Sequence, residues 1–151
     1  MTRETAGRLW PPSPPPPAAG GWTWELRHVR ELPGVRAEVR GHLATDGPGT
    51  SEDRIEQIVL AFDEMASNAL RHGATADSGA APGAVTARLA PCAGSWLVEV
   101  RDPAPTDPPT PAVGRDPSKG GLGLYLIAEL ATRHGWHGTE AWKTVWALLP
   151  R

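Results

Sequence analysis

One amphipathic segment between Thr50 and Gly73 constrains the fold of this chain more than any other feature. Apolar residues recur through it at spacings of three and four, namely Ile55, Ile58, Val59, Phe62, Met65, Ala66 and Ala69. Such a stripe predicts one long helix whose apolar face lies on a core. The run Thr50-Ser51-Glu52-Asp53 fits a capping box that begins the helix, and Gly73 is expected to end it.

Strand patterns lie on both sides of this helix. Large and polar side chains alternate over residues 22–29, and the same alternation over 85–89 and 95–101 predicts a hairpin with its turn at 91–94. A short helix over 34–43, a helix over 120–133 and a last strand over 141–149 complete the series. Alternating strands favour a sheet covered on one side, so this order predicts an α/β domain.

The N-terminal 21 residues differ in composition from the rest. Six of the seven residues from Pro11 to Pro17 are proline, which lacks a backbone donor and favours extended polyproline II structure. We therefore predict a flexible tail over residues 1–21 and a single domain over residues 22–151. Docking of an SH3-like partner to the proline run is the alternative reading of this segment.

Charge and hydropathy exclude several classes of protein. The formal net charge of -2 leaves no basic surplus for nucleic-acid phosphates or an anionic membrane. No stretch approaches the roughly 20 apolar residues of a membrane span, and the N-terminus lacks the pattern of a secretory leader. Cys92 is the only cysteine, so no internal disulfide can form. These observations predict a cytoplasmic protein without direct nucleic-acid or membrane binding.

Three places could carry chemistry. Glu64 and Asn68 lie four residues apart on the predicted long helix, so they share one face as a candidate base and a hard oxygen ligand for Mg²⁺. Gly120-Gly121-Leu122-Gly123 opens a helix directly after Lys119, and bare backbone at a helix start attracts phosphate. Asp102 ends a strand before a proline-rich loop. Each place has an ordinary alternative. Glu64 and Asn68 could lie on a plain helix surface, the glycines could form a flexible entry into the helix, and Asp102 could form a turn.

The order of these pieces resembles a known family. Glu64 to Gly73, Val98 to Asp102, Gly120 to Leu124 and Lys143 to Trp146, taken in unbroken order, resemble the GHKL ATPase domain, and specifically the compact anti-sigma serine kinases, over residues 22–150. The resemblance implies a Bergerat-type two-layer α/β sandwich, with a mixed, mainly antiparallel sheet and about three helices on one face.

The resemblance also implies roles at the phosphate end of an ATP site. Asn68 matches the asparagine that holds Mg²⁺, and Glu64 matches the acid that acts as the catalytic base. Gly121 and Gly123 match the second glycine box, whose amides wrap the phosphates. Lys119 and Leu122 belong to the same phosphate-binding segment.

The adenine end follows from the same resemblance. Asp102 matches the aspartate that accepts a hydrogen bond from the adenine amino group, with Thr144 on the last strand in support. Residues 103–119 match the mobile lid over the nucleotide. Arg71 or His72 could reach a phosphate, and exposure to solvent is the alternative for both.

The function implied is that of an ATP- and Mg²⁺-dependent serine/threonine kinase that sequesters a sigma factor. Its relatives phosphorylate a STAS-type anti-anti-sigma protein and so control transcription by partner switching, often as homodimers. The sequence departs from the family at Ala104, where the D-x-G pattern after Asp102 has glycine, which predicts weaker nucleotide binding or an altered lid. A degenerate GHKL module that binds nucleotide or a partner without phosphotransfer is therefore the rival hypothesis.

Overall fold

Four stretches of the chain are described by the computed structural model, residues 10–47, 49–73, 84–103 and 122–151. They form three α-helices and five strands. The elements are β1 (Trp22–Leu26), a 3-10 turn (Val29–Glu31), α1 (Leu32–Asp46), α2 (Glu52–Asn68), a π-helical turn (Ala69–Gly73), β2 (Val85–Cys92), β3 (Ser95–Asp102), α3 (Leu122–Leu130), β4 (Arg133–Gly138) and β5 (Lys143–Pro150).

The five strands form one sheet in the order β1-β2-β3-β5-β4, and each of the four pairings is antiparallel. The β2–β3 hairpin turns at Ala93 and Gly94, whose φ angles of 47° and 83° match the two-residue turn that suits twisted strands. Because this turn needs only two residues, Pro91 and Cys92 belong to β2, and the predicted turn over 91–94 was two residues too long.

Helix α2 is the long helix that the apolar stripe predicts. Its buried face comprises Ile55, Ile58, Val59, Ala61, Phe62, Met65 and Ala66, which pack against the sheet. The N-cap is Ser51, whose side chain accepts a hydrogen bond from the backbone N–H of Arg54. The capping box predicted to begin at Thr50 was therefore displaced by one residue, and an arginine occupies the place of the acidic partner.

Helix α1 covers the β1 half of the sheet. Leu32, Val35, Val39 and Leu43 are buried along one face at spacings of three and four. The helix exceeds its predicted span of 34–43 at both ends, because Pro33 is tolerated in a first turn and Gly47 stops the last one.

Strand β4 was missed by the sequence analysis. We expected residues 120–133 to be helical, but α3 ends at Leu130 and the chain enters β4 at Arg133. The sequence Arg133-His134-Gly135-Trp136-His137-Gly138 lacks an apolar alternation and carries two glycines, so it has little strand character of its own. Its strand structure comes from pairing with β5 along its whole length.

The Pro-rich segment is packed from Trp10 onward, which corrects the prediction of a tail over these residues. We call residues 10–20 the N-terminal strap. Trp10 is fully buried, and its Nε1 donates to the carbonyl of Leu124 in α3 at 3.2 Å. The backbone of Trp136 in β4 donates to the carbonyl of Pro11 at 3.1 Å and accepts from the N–H of Ser13 at 2.8 Å. The strap therefore covers the exposed edge of β4.

Beyond Ser13 the strap crosses the sheet face that lies away from the helices, here called the outer face. Trp146 Nε1 donates to the carbonyl of Ser13 at 2.7 Å. At the far side, the Arg88 guanidinium donates to the carbonyls of Ala18 at 2.6 Å and Gly20 at 2.9 Å. Beneath it, Leu97, Trp146 and Leu148 are buried, with Ala18 packed against them.

The architecture confirms the predicted two-layer α/β fold, with the main core between sheet and helices. Within the described ranges, no helix is long and apolar enough to span a membrane. The carboxyl end of β3, the end of α2 and the beginning of α3 are among the places where the sequence analysis put candidate site residues.

Candidate functional site

A buried ion pair lies where β3 ends and β5 begins. Asp102 is the last residue of β3, and the sheet register sets it opposite Lys143, the first residue of β5. Both side chains are almost fully enclosed, with 1% and 6% exposure, and Lys143 Nζ lies 3.5 Å from Asp102 Oδ2. Val100 lies two residues before Asp102 and Val145 two residues after Lys143, and both belong to the main core. Residues two apart on a strand share a face, so the pair faces the helix layer.

Thr144 is not brought beside Asp102. It pairs with Arg101 in the β3–β5 register, and it alternates with Trp146 and Leu148, which are buried under the strap. Because successive side chains of a strand point to opposite faces, the Thr144 side chain belongs to the outer face. The side chain next to Asp102 on β5 is that of Lys143.

Glu64 lies against the first turn of α3. A methyl group added to Gly123 would overlap the carboxyl group of Glu64 as well as its Cγ, so the bare backbone of Gly123 makes this close approach possible. Helix α2 thus carries a carboxylate to the beginning of α3, the element that follows the predicted phosphate-binding segment.

Burial raises the pKa of the Glu64 carboxyl group above its ordinary value, and the neighbouring charge of Asp63 acts in the same direction. The positive charge of Arg71 opposes both by lowering the pKa. Arg71 therefore lies close enough to act on Glu64 electrostatically. A carboxylate with a raised pKa binds a proton more readily than an ordinary one, which is the property required of a base.

Asn68 is the last residue of α2, one helical turn beyond Glu64 on the same face, and it is partly buried. The helix then widens into the π-helical turn, where Ala69 and Leu70 are buried and fix the turn on the core. π-helical turns are frequent at functional sites.

Part of the predicted phosphate-binding segment lies outside the described residues. Lys119 and Gly121 belong to that part, as do residues 104–119 of the predicted lid and the side chains of His72 and Leu122. Residue 122 begins α3. The structure therefore brings Glu64 to Gly123 and Asp102 to Lys143, and it sets Asn68 on the Glu64 face of α2.

Lys143 is the residue that the sequence analysis did not assign to the site. A signal was available, because Lys143 shares the parity of Val145, Ala147 and Leu149, and these three apolar residues mark the face toward the helices. A lysine at the end of such a series is expected to point to the same side. Chemically, the arrangement offers one carboxylate as an acceptor, one ammonium as a donor, and a second carboxylate suited to take up a proton.

Comparison with known proteins gives a match at the level of the family. The sequence pattern of the histidine kinase-like ATPase domain matches residues 25–148. A search of curated protein sequences finds no match.

Solved structures that match this chain include the following two. A chain from the crystal structure of the SiaB-SiaC complex of Pseudomonas aeruginosa has a TM-score of 0.61 at 15% sequence identity, covering 85% of this chain and 88% of that one. The histidine kinase AdeS of Acinetobacter baumannii has a TM-score of 0.42 at 12% identity, covering 87% of this chain and 68% of that one. At such identities the first likeness is evidence for the fold alone.

Proposed function

We propose a function from one premise, namely that this chain belongs to the histidine kinase-like ATPase domain family. The protein binds Mg²⁺-ATP and acts as an anti-sigma regulator in the cytoplasm. It transfers phosphate to a serine or threonine of a STAS-type anti-anti-sigma protein, and it holds a sigma factor while that antagonist is phosphorylated. The carrying observation is the buried carboxylate of Asp102 at the end of β3, where the family's resemblance assigns the adenine contact.

The described residues fit the nucleotide that the family implies. A carboxylate enclosed at a strand end accepts hydrogen bonds from an amino group, which adenine carries. Mg²⁺ in nucleotide sites takes one or two protein oxygens together with phosphate oxygens, so the single amide oxygen of Asn68 suits it. When bound, ATP supplies the phosphoryl group to be transferred and Mg²⁺ neutralises the charge that develops on it.

Glu64 acts on the hydroxyl group of the protein substrate. Its raised pKa, caused first by burial, favours uptake of the proton that the seryl or threonyl oxygen releases as it attacks. Gly123 keeps the first turn of α3 close to this carboxylate, which orients it toward the beginning of that helix. Positioning and charge stabilisation supply most of the catalysis in phosphoryl transfer, so a small set of groups suffices.

Binding of a protein partner is a further part of the proposal. The similar chain of known structure comes from a complex of two proteins, SiaB and SiaC, at nearly full coverage of both chains compared. We extend from this likeness only the expectation that the present protein works through a protein partner. The sigma factor, the STAS antagonist and a homodimer are parts of the proposal.

A second candidate function is a binding module without phosphotransfer. It is favoured by one feature at the adenine end: Ala104 replaces the glycine of the family's D-x-G pattern. In this alternative the domain binds nucleotide or a partner but leaves serine unmodified.

A two-step experiment separates these functions. Binding of Mg²⁺-ATP is measured by isothermal titration, and phosphotransfer from γ-labelled ATP is then measured with purified STAS-domain proteins of the same organism. The kinase hypothesis predicts ATP binding and label on a serine or threonine of one STAS protein. Binding without label on any STAS protein supports the module. Absence of ATP binding contradicts the kinase and also a module that binds nucleotide.

Matched variants assign the roles. Asn68→Ala should weaken Mg²⁺-ATP binding about tenfold or more, whereas Gln57→Ala, which removes an amide from the same helix, should leave it unchanged. Glu64→Gln should bind ATP and lose most of the transfer rate, a loss of about 100-fold or more. Glu56→Gln removes an exposed carboxylate of the same helix and should transfer normally.

A further inference from the structure

Lys143 is the most enclosed cation among the ion pairs of the described residues, and it also forms the longest of them. Its Nζ lies 3.5 Å from Asp102 Oδ2, with side-chain exposures of 6% and 1%. The pairs Arg40–Glu56, Arg36–Asp63 and Arg88–Glu99 are all more exposed, yet their N···O distances are 2.8, 3.0 and 3.1 Å. Burial strengthens the attraction between opposite charges, so the buried pair would be expected to be the shortest.

The hydrogen-bonding capacity of the ammonium group explains why this separation matters. A lysine ammonium has three N–H donors, and buried donors are normally all engaged. A charge-assisted N–H···O bond is typically about 2.7–2.9 Å long, which is well below the separation seen here. Within the described part of the chain, Asp102 is the ionic partner of Lys143. One carboxylate at 3.5 Å does not use all three donors of the ammonium group, so a further acceptor suits it.

The edge formed by this pair has a definite chemical polarity. One acceptor and one donor stand side by side on the helix-facing side of the sheet, since Asp102 and Lys143 are directly opposite in the strand register. Adenine presents the complementary pair, because its exocyclic amino group donates while the ring nitrogens that flank it accept. The match is one between functional groups.

We propose that Lys143 is a residue that determines nucleobase specificity. Its ammonium group donates a hydrogen bond to a ring nitrogen of adenine, next to the exocyclic amino group whose hydrogen bond Asp102 accepts. This inference rests on the proposed ATP binding and adds a contact to it. A ring nitrogen is a neutral acceptor, so the buried ammonium group can bind it as a second partner and keep its ion pair with Asp102. The contact from Lys143 thus offsets part of the loss of nucleotide affinity that is expected from Ala104, which stands where the family has glycine.

The test compares ATP with two analogues in which one ring nitrogen is replaced by C–H, 1-deaza-ATP and 7-deaza-ATP. Dissociation constants for the wild-type protein are measured by isothermal titration in the presence of Mg²⁺. We expect one analogue to bind about tenfold or more weakly than ATP, since a hydrogen bond from a charged donor is lost. The analogue that loses affinity identifies the nitrogen that Lys143 contacts.

The variant Lys143→Met completes the test, because methionine keeps an unbranched apolar stem and removes the donor. It should bind ATP about tenfold or more weakly than wild type, and it should no longer distinguish ATP from the sensitive analogue. Arg101→Met is the matched control: it removes one positive charge from the adjacent, exposed position on the other face and should keep the discrimination. Thermal unfolding of each variant checks that the fold is retained.

Three outcomes would overturn the inference. Equal affinity of the wild-type protein for ATP and both analogues would show that no ring nitrogen is contacted, whatever the variants do. Tighter ATP binding by Lys143→Met would show that the lysine withholds Asp102 from the base. A wild-type protein that binds no ATP would refute the proposed function and this inference together, whereas the first two outcomes leave ATP binding intact.

Discussion

The two faces of the sheet are both buried, but by different means. On the helix face, regular elements with matching apolar periods form the main core, and the buried pair Asp102–Lys143 lies at its margin. On the outer face, an irregular proline-rich strap covers a small cluster of Leu97, Trp146 and Leu148. The helix face carries the candidate chemistry, and the outer face contributes structure.

The difference teaches how much a sheet needs cover on both sides. Strand β5 contains the continuous apolar run Val145-Trp146-Ala147-Leu148-Leu149, which is typical of a strand buried on both faces rather than on one. The strap satisfies this need without secondary structure of its own, because its carbonyls accept hydrogen bonds from Trp146 and Arg88. A proline-rich segment can therefore cover a sheet where the side chains beneath it donate hydrogen bonds to its carbonyl groups.

The largest effect is expected when the strap loses its anchor. Trp10→Ala removes a fully buried indole together with its hydrogen bond to Leu124, and should lower the free energy of unfolding by about 3–5 kcal/mol. Urea unfolding measures the change. Trp142→Ala, at a partly exposed position, is the control and should cost well under half as much. Equal costs for the two variants would show that the strap adds nothing to stability.

A second pair of variants compares the two faces directly. Leu89 is fully buried on the helix face and Leu97 is fully buried on the outer face. Replacing either by alanine should cost about 2–5 kcal/mol, because each deletion leaves a cavity in a packed environment. The free energies of unfolding are again obtained from urea titrations. A cost below about 1 kcal/mol for Leu97→Ala alone would mean that water reaches the outer face.

A smaller effect is expected for two helical glycines. Gly41 in α1 has open space where a methyl group would be added, so Gly41→Ala should stabilise the protein by about 0.5–1 kcal/mol through helix propensity. Gly123→Ala carries the same intrinsic gain but displaces the Glu64 side chain. It should be less stable than Gly41→Ala and should weaken Mg²⁺-ATP binding. Identical stability and identical Mg²⁺-ATP binding in the two variants would show that the Glu64–Gly123 contact affects neither property.

The smallest effect concerns the ionisation of Glu64. Since its pKa in the folded state is raised above the ordinary value of 4.5, ionisation of Glu64 disfavours the folded state above the folded pKa and is without effect well below 4.5. Glu64→Gln should therefore be more stable than wild type near neutral pH. The difference should fade as the pH falls through this range, which urea unfolding at several pH values will follow.

Glu56→Gln is the control, because its effect on stability is expected to have the opposite sign. A hydrogen bond from Arg40 lowers the pKa of the Glu56 carboxyl group, so its ionised form favours the folded state. This variant should be slightly less stable than wild type near neutral pH, and its deficit should disappear in acid. If both variants shifted stability in the same direction, the raised pKa of Glu64 would be wrong.

Local pattern was enough to predict much of the helix face. The stripe from Ile55 to Ala69 and the alternation over 95–101 each depend on residues close in sequence, so periodicity alone locates α2 and β3. Strand β4 and the strap could not be found in this way. Their structure comes from distant partners, as shown by the pairing of Gly135 with Trp146 and the bond from Trp10 to Leu124.

The candidate site divides along the same line. Glu64 and Asn68 share a helix face by spacing alone, and that relation was predictable. The contact of Glu64 with Gly123 and the pairing of Asp102 with Lys143 depend on how distant elements meet. Strand parity nevertheless carried information about β5, because it assigns Lys143 to the helix face and Thr144 to the outer face.

The central claim is that nucleotide binding belongs to the helix face of the sheet. Titration of Mg²⁺-ATP into Asp102→Asn and Glu99→Gln tests it most directly, because both variants neutralise an acid of β3 that is paired with a cation, one on each face. We predict that Asp102→Asn weakens binding by roughly tenfold or more, while Glu99→Gln binds as wild type does. Equal affinity in the two variants, with both folded by thermal unfolding, would contradict the claim.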